Sequence, residues 1–333
     1  MNTKAIDAIA TAVLYEGYML YPYRPSSVKN RQRFNFGVLY PRTYSDAQSG
    51  SDAWSTQTEF LVEGTSQTSI EVRARFLKLV SRSENRQNEM ASHPWQEGIE
   101  CDVAIPVYSL ETLLAAATPF EWPFVFEKNE INKSSLNASG EQVEIARKQE
   151  SVSGVLKIEV TRLSDGLFKV QVRLENLTSL DGNGEAASRD QVLMRSLVSA
   201  HLLLGVTDGQ FISLLDPPEI LKNEVSGCQN VGVWPVLVGA AGERDTMLAS
   251  PIILYDYPQI APESPGDLFD GAEIDEILAL RIMTMTDAEK HEMRHSDDRA
   301  RKNLERTESL PMEHLMKLHG TLRDLHALNE ETP

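Results

Sequence analysis

The sequence predicts an α+β fold, an antiparallel, β-rich, sandwich-like body followed by a C-terminal helical extension. Three observations carry this. In Val155–Leu177, Leu156, Ile158 and Val160 alternate with Lys157, Glu159 and Thr161, and Phe168, Val170, Val172 and Leu174 alternate with Lys169, Gln171 and Arg173. Asp165-Gly166 between them supplies the positive φ angles of a tight turn, so the segment reads as a hairpin with one buried and one wet face. At Tyr257–Gly271, three prolines and two glycines interrupt regular structure. Beyond them the pattern is helical, with Leu315, Leu318, Leu322 and Leu325 on one stripe. The body is expected over residues 1–256, and a Pro-rich linker with helical extension over 257–333.

Within the body, Lys4–Val13 reads as a short helix, and Leu14–Tyr21 and Arg33–Tyr40 as strands. Tyr44–Ser55 is rich in Ser, Asp and Gly and reads as a loop. Phe60 and Val62, then Ile70, Val72, Ala74 and Phe76, read as two strands of a hairpin turning through Gly64–Ser69. Ser81–Glu97 is polar and reads as an exposed connection. Cys101–Tyr108 reads as a strand and Leu110–Ala117 as a short helix. Ser179–Ser188 is a loop, Arg189–Leu197 a helix, and Ala200–Leu215 a second hairpin turning at Asp208-Gly209. Strands follow at Val231–Val238 and Met247–Tyr255. In the extension, Ala272–Met285, Asp287–Arg306 and Met312–Leu328 are helical by pattern, and Thr286 with Glu289 forms a capping box.

The chain has 333 residues and a formal charge of −17, with 41% hydrophobic residues, enough for a packed core. Such a field repels nucleic-acid phosphates and anionic lipid headgroups, which argues against nucleic acid as a partner. No run of about 18 apolar residues occurs, so no membrane insertion is expected. Two cysteines, Cys101 and Cys228, neither build a disulfide framework nor fall at metal-ligand spacing. Reducing surroundings, a cytoplasmic location and no cofactor are the corresponding expectations. His201, on an apolar strand, reads as a core histidine. The stretch from residue 263 onward holds 17 acidic and 9 basic residues, a charge-laced segment of the kind that wraps its own body or another protein.

One stretch departs from the acidic balance. Between Gly17 and Ser45 lie Arg24, Lys29, Arg31, Arg33 and Arg42 with no acid, interleaved with aromatics that include Tyr21 and Tyr23. Guanidinium groups bind carboxylate and phosphate bidentately, so these residues form a candidate partner- or anion-binding site. The competing reading is that they pair with the chain's own carboxylates. His291-Glu292-Met293-Arg294-His295 matches H-E-x-x-H, in which histidines one helical turn apart bind zinc and the glutamate acts as base. Its flanks, Thr-Asp-Ala-Glu-Lys and Ser-Asp-Asp-Arg, are polar, which suits a solvated helix face instead. The acids of Asp267–Glu276 suit a hard cation or a helix N-terminus. The Pro-rich, aromatic segment Tyr255–Gly271 suits a docking segment or an internal crossing.

Three long phrases carry a resemblance: Leu14–Pro41, with Tyr15-Glu-Gly-Tyr and Tyr21-Pro-Tyr-Arg-Pro-Ser-Ser-Val-Lys-Asn-Arg; Arg195–Pro218; and Pro251–Ile282, with Ser264-Pro-Gly-Asp-Leu-Phe-Asp-Gly. They resemble an uncharacterised bacterial family associated with gene clusters for nickel–iron hydrogenases of the actinobacterial, high-affinity type. The resemblance implies a non-enzymatic accessory, assembly or protein-interaction factor whose partner is a hydrogenase subunit or its assembly machinery. It assigns no catalytic residue. The alternatives are a zinc-dependent hydrolase built on His291, Glu292 and His295, and a small-anion binding module built on the arginines.

Overall fold

One strand organises the body. In the computed structural model, which describes residues 1–15, 36–86, 95–136, 142–180, 188–259, 282–296 and 298–309, strand β1 runs unbroken over Ser55–Arg86. The other strands are β2 (Trp95–Ala104), β3 (Tyr108–Ser109), β4 (Phe120–Phe126), β5 (Asn129–Leu136) and β6 (Gln142–Gln149). After them come β7 (Val152–Ser164), β8 (Leu167–Asn176), β9 (Val198–Phe211), β10 (Trp234–Leu237) and β11 (Thr246–Ser250). All pairings between them are antiparallel, and they form one sheet. The chain divides into two units with a boundary after Pro258, and the sheet belongs to the first.

A strand has two edges, and β1 uses both along its length. Val62 pairs with Phe168 of β8 and with Phe211 of β9, so those strands lie on opposite edges. The same logic at Ser69 and Arg73 puts β3 and β2 on the β8 side, because both residues also pair with β9. At Ser81 and Arg82, β6 lies across from β2. One edge thus carries β8, β3 and β2 in turn, and the other carries β9 and β6. From β9 the sheet continues to β11 and β10, and from β8 to β7 and β4.

The sheet curls around one core. Phe60, Val62, Ile70, Val72, Ala74 and Phe76 of β1 share it with inward residues of β2, β7, β8, β9 and β11. Phe76 meets Phe124 and Phe126 of β4 with ring centroids 5.9 and 5.7 Å away. On a flat sheet three strand spacings, about 14 Å, would separate β1 from β4. The expected α+β class and antiparallel, β-rich body are therefore present, and a single open sheet folded on itself supplies both walls of the sandwich-like core. Helix α1 (Thr3–Leu14) buries Ile6, Ile9, Ala10 and Val13 and packs on β9 and β11. Its N-cap, Asn2, accepts the Ala5 N–H at 3.3 Å and donates its own N–H to Thr246 Oγ1 at 2.6 Å. Short helices α2 (Arg42–Ala47), α3 (Leu110–Leu114), α4 (Arg189–Leu193) and α5 (Lys222–Ser226) lie in the connections.

The predicted hairpin at 155–177 forms as β7 and β8, with Gly166 at φ +76° in the turn. Two other expected turns do not reverse the chain. Gly64–Ser69 lies inside β1, and Asp208-Gly209 lies inside β9. Gly64 pairs with Gly209 and Ser69 with Thr207, so four residues of β1 bulge against the single Asp208. Thr68 fills the bulge, accepting the Thr65 N–H at 2.9 Å and donating to the Asp208 carbonyl at 2.6 Å. A Cβ on Gly64 would sit 2.3 Å from Thr68 Oγ1, and one on Gly209 2.6 Å from Thr68 Cγ2. The glycines thus mark a close approach rather than a chain reversal. The expected loop at Tyr44–Ser55 begins within α2, Leu14 ends α1, and the expected connection Ser81–Glu97 contains the end of β1 and the start of β2.

In the second unit, α6 (Asp287–Ser296) and α7 (Asp298–Ser309) replace the single helix expected over Asp287–Arg306. Thr286 and Glu289 make the predicted capping box, at 2.8 Å for Thr286 N to Glu289 Oε2 and 3.3 Å for the reverse bond. Glu308 pairs with Lys290 at 3.3 Å and Arg294 at 2.6 Å, so α7 folds back antiparallel beside α6. Met293 and Leu304 are buried. No helix among the described residues is long and apolar enough to cross a membrane.

Candidate docking surface

Of the predicted basic-aromatic site, Tyr21, Tyr23, Arg24, Lys29, Arg31 and Arg33 lie outside the described residues. Arg42 is described. Pro41 sits just before α2 with φ −54°, which suits a helix start, and Arg42 is the first helical residue. The chain then loops back so that the Tyr40 N–H donates to the Ala53 carbonyl at 2.8 Å. This return places Trp54 beside the start of α2. The Asn176 N–H donates to the Trp54 carbonyl at 2.9 Å, fixing Trp54 to the end of β8.

Asn176 is fully buried and ties the neighbourhood together. Its amide donates to the Leu39 carbonyl at 2.8 Å and the Arg195 carbonyl at 3.0 Å, and its Oδ1 accepts the Thr178 N–H at 2.9 Å. The Leu39 and Leu197 segments, which bridge each other through reciprocal backbone bonds at 2.8 and 3.1 Å, are thereby tied to the end of β8 through one side chain. A buried amide with its groups satisfied is stabilising and specific, and costly to truncate.

On this support the Arg42 guanidinium lies 4.6 Å from the centroid of Trp54, and that of Arg173 lies 5.5 Å from the same ring. Two cations thus share one indole, whose face attracts positive charge. Arg173 is anchored by Glu175 at 2.9 Å and by Ser55 Oγ at 3.2 Å. Arg42 is 63% exposed, and its Nε is 3.8 Å from Asp46. Next to it Tyr44, half-buried, stacks at 5.3 Å on Tyr40. Burial pushes the Tyr40 phenol pKa above its usual value, partly offset by Arg189.

Elsewhere several outward cations of the sheet are matched by the chain's own acids. Arg75 meets Glu100 at 2.5 Å, Arg82 meets Glu97 at 3.0 Å, Lys157 meets Glu121 and Glu175 at 3.0 and 3.2 Å, and Lys169 meets Glu59 at 3.4 Å. Arg73 pairs with Asp7 of α1. Of the five basic residues for which pairing with the chain's own carboxylates was the competing reading, Arg42 alone is described, and its Nε lies 3.8 Å from Asp46.

The Pro-rich segment begins as an internal crossing. Asp256 accepts the Leu237 N–H at 2.8 Å and the Ser213 hydroxyl at 2.5 Å, and the Tyr257 N–H donates to the Leu237 carbonyl at 2.7 Å. Tyr255 and Ile253 beside it are exposed. Residues 260–271, including the acids from Asp267, lie outside the described residues.

His291 is exposed on α6, while the side chains of Glu292 and His295 are outside the description. Among the described residues no three His, Cys, Asp or Glu side chains group as metal ligands. Cys101 and Cys228 are free thiols, each pushed up to about 11 by burial. His201 is a core histidine, as expected.

The sequence pointed to Arg42 through the local excess of basic residues. It missed Trp54, Arg173 and Asn176, which are distant in sequence and meet only through the pairing of β1 with β8. Arg173 was nevertheless visible as a residue of the wet face of β8. Compared with known proteins, the chain matches no family model and no curated sequence.

Proposed function

We propose that the chain is a non-enzymatic protein-interaction factor that docks a partner on the face carrying Arg42, Trp54, Arg173 and Tyr44. The observation that carries this is the stack of two guanidiniums on one indole with an exposed leading arginine. Arg, Trp and Tyr are the residues that dominate binding energy at protein interfaces, where they work as rigid anchors. The geometry supplies a pre-ordered anchor, so little side-chain entropy is lost on docking. An exposed guanidinium suits a carboxylate on the partner, which it can grip bidentately. The resemblance to the hydrogenase-associated family makes a nickel–iron hydrogenase subunit, or its assembly machinery, the first partner to seek. In that setting the protein acts as an accessory or assembly factor.

The test is affinity purification from the native cells with wild-type chain, Arg42→Glu and Trp54→Ala. Removing such an anchor costs about 2 kcal/mol or more of binding free energy, roughly a 30-fold weaker complex. Loss of the same partner from both variants, with unchanged melting transitions, is the expected result. Full recovery by both rejects the surface. A thermal-shift series with inorganic phosphate separates the small-anion alternative, since a ligand of the native state raises the melting point.

A further inference from the structure

We infer that the inward aromatic row of β4, together with the buried amine of Lys78, is a binding site for a long-chain fatty acid. Phe120, Trp122, Phe124 and Phe126 alternate along β4 and turn toward the core, yet each stays partly exposed. Phe76, which Phe124 and Phe126 meet, is by contrast fully buried. At the position paired with Phe124, β7 has Gly154, where a Cβ would lie 2.5 Å from the ring, so the ring leans onto bare backbone. From Phe120 to Phe126 the strand spans about 20 Å, the reach of an extended acyl chain. An acyl chain laid along this row removes from water the ring surface that the fold leaves wet.

Lys78 stands at the Phe126 end of the row. Residues two apart on a strand share a face, so Lys78 points inward as Phe76 does. It is 3% exposed. Its Nζ donates to the Phe126 carbonyl at 3.4 Å and the Glu127 carbonyl at 3.0 Å. An ammonium has three donors, so one N–H is left over. Among the described residues no carboxylate forms an ion pair with it. Burial pushes its pKa down, and Cys101, Glu127 and Glu150 oppose that shift through space. A buried cation held by peptide carbonyls without a counter-ion is costly. A ligand carboxylate supplies both the missing charge and the acceptor for the third N–H.

These features select one class of ligand, an anionic head on a long unbranched tail. Ile99 lies opposite Lys78 in the register of β1 with β2, on the same face, and is 43% exposed, so solvent reaches the head-group end. The net charge of −17 disfavours anions over most of the surface, so a fatty acid retained by this chain is held at an inward cation.

The experiment is titration of the full chain with cis-parinaric acid, a fatty acid whose emission rises in apolar surroundings, followed by displacement with laurate or with dodecanol. The two competitors share a tail and differ in the head. Wild type should bind the probe saturably and release it to laurate at about tenfold lower concentration than to dodecanol, the worth of one charge-assisted hydrogen bond. Lys78→Met should lose that preference, with its melting transition unchanged or raised. Lys128→Met, which removes an exposed charge after the same strand, should keep it. Absence of saturable binding, equal displacement of the probe from wild type by acid and alcohol, or a preference that survives Lys78→Met overturns the proposal. Loss of the preference in Lys128→Met as well also overturns it. The comparison of acid with alcohol on wild type decides the question even if Lys78→Met fails to fold.

Discussion

Acid should destabilise this protein through His201, and a single substitution isolates the effect. His201 lies fully buried on β9, next to a bulge where the register with β1 shifts between Arg75 and Leu77. Ser199, two residues earlier, holds φ +53°, a region that costs a non-glycine residue about 1–2 kcal/mol. The Ser199 carbonyl accepts from the imidazole Nδ1–H at 2.7 Å, which fixes the tautomer and leaves the Nε2 lone pair buried without a hydrogen-bond partner among the described residues. Burial pushes the His201 pKa down to about 4, and Arg75 adds to the shift, against the hydrogen bond to Ser199, which raises it. Arg75 is itself held by Asp7 of α1 at 3.6 Å and by Glu100. The folded pKa thus lies below the unfolded value near 6.5. Above that pH both states are neutral and His201 adds no dependence. As pH falls, the unfolded chain takes a proton that the native state refuses, and stability declines until the folded pKa is reached. The loss is about 1.4 kcal/mol by pH 5.5 and of order 3 kcal/mol by pH 4. His201→Asn places an amide donor where Nδ1–H stood and cannot titrate. Urea unfolding of both proteins at several values between about pH 7.5 and 5.5 stays above the isoelectric point near 4.9. Carboxylates contribute equally to both, so the difference in slope belongs to His201. Wild type should lose about 1.4 kcal/mol more than the variant across that range. Parallel slopes would refute the argument.

Two further substitutions probe the fold beneath the docking face. Phe76→Ala removes the ring that meets Phe124 and Phe126 across the curl, and should cost about 3–5 kcal/mol in urea unfolding, with amide exchange of β4 accelerated ahead of β8. Asn176→Ala removes one donor from the Leu39 carbonyl, which keeps the Leu197 N–H at 3.1 Å, removes the Asn176 donor from the Arg195 carbonyl, and takes away the acceptor of the Thr178 N–H, a buried group whose loss of partner costs about 1–3 kcal/mol. It should lower the melting transition and also weaken partner binding, because Trp54 is fixed to that same residue's backbone. Asn176→Asp, which keeps the acceptor for Thr178 but cannot donate, should behave like Asn176→Ala.

The sequence disclosed those elements whose signals were local. Val155–Leu177 was legible because period-two alternation and an Asp-Gly turn agreed. The bulge was misread because glycine permits both chain reversal and close approach, and only the partner strand decides which occurs. A clue was present: Phe60, Val62, Ile70, Val72, Ala74 and Phe76 are all even-numbered, so the buried face keeps its phase through Gly64–Ser69, as one continuous strand requires. β5 escaped notice because its residues 129–134 are all exposed and leave no alternation to see, whereas β4, with Phe120, Trp122, Phe124 and Phe126 on alternate positions toward the core, carried a period-two signal that was overlooked. Of the docking face, Arg42 was legible from charge. The indole beneath it was not, since Trp54 and Arg173 become neighbours only when Ser55 pairs with Glu175.

The length of β1 has a consequence for synthesis. The C-terminal half of β1 can pair with β2 as soon as Ala104 is made, but the Ser55–Glu63 half must wait for β8, which ends at Asn176, and Val62 gains its second flank only with β9, which ends at Phe211. At ordinary translation rates that interval is on the order of ten seconds. Throughout it the Phe60–Val62 core stretch of β1 lacks its partner strands, so production of this protein should depend on holding chaperones more than its native stability suggests.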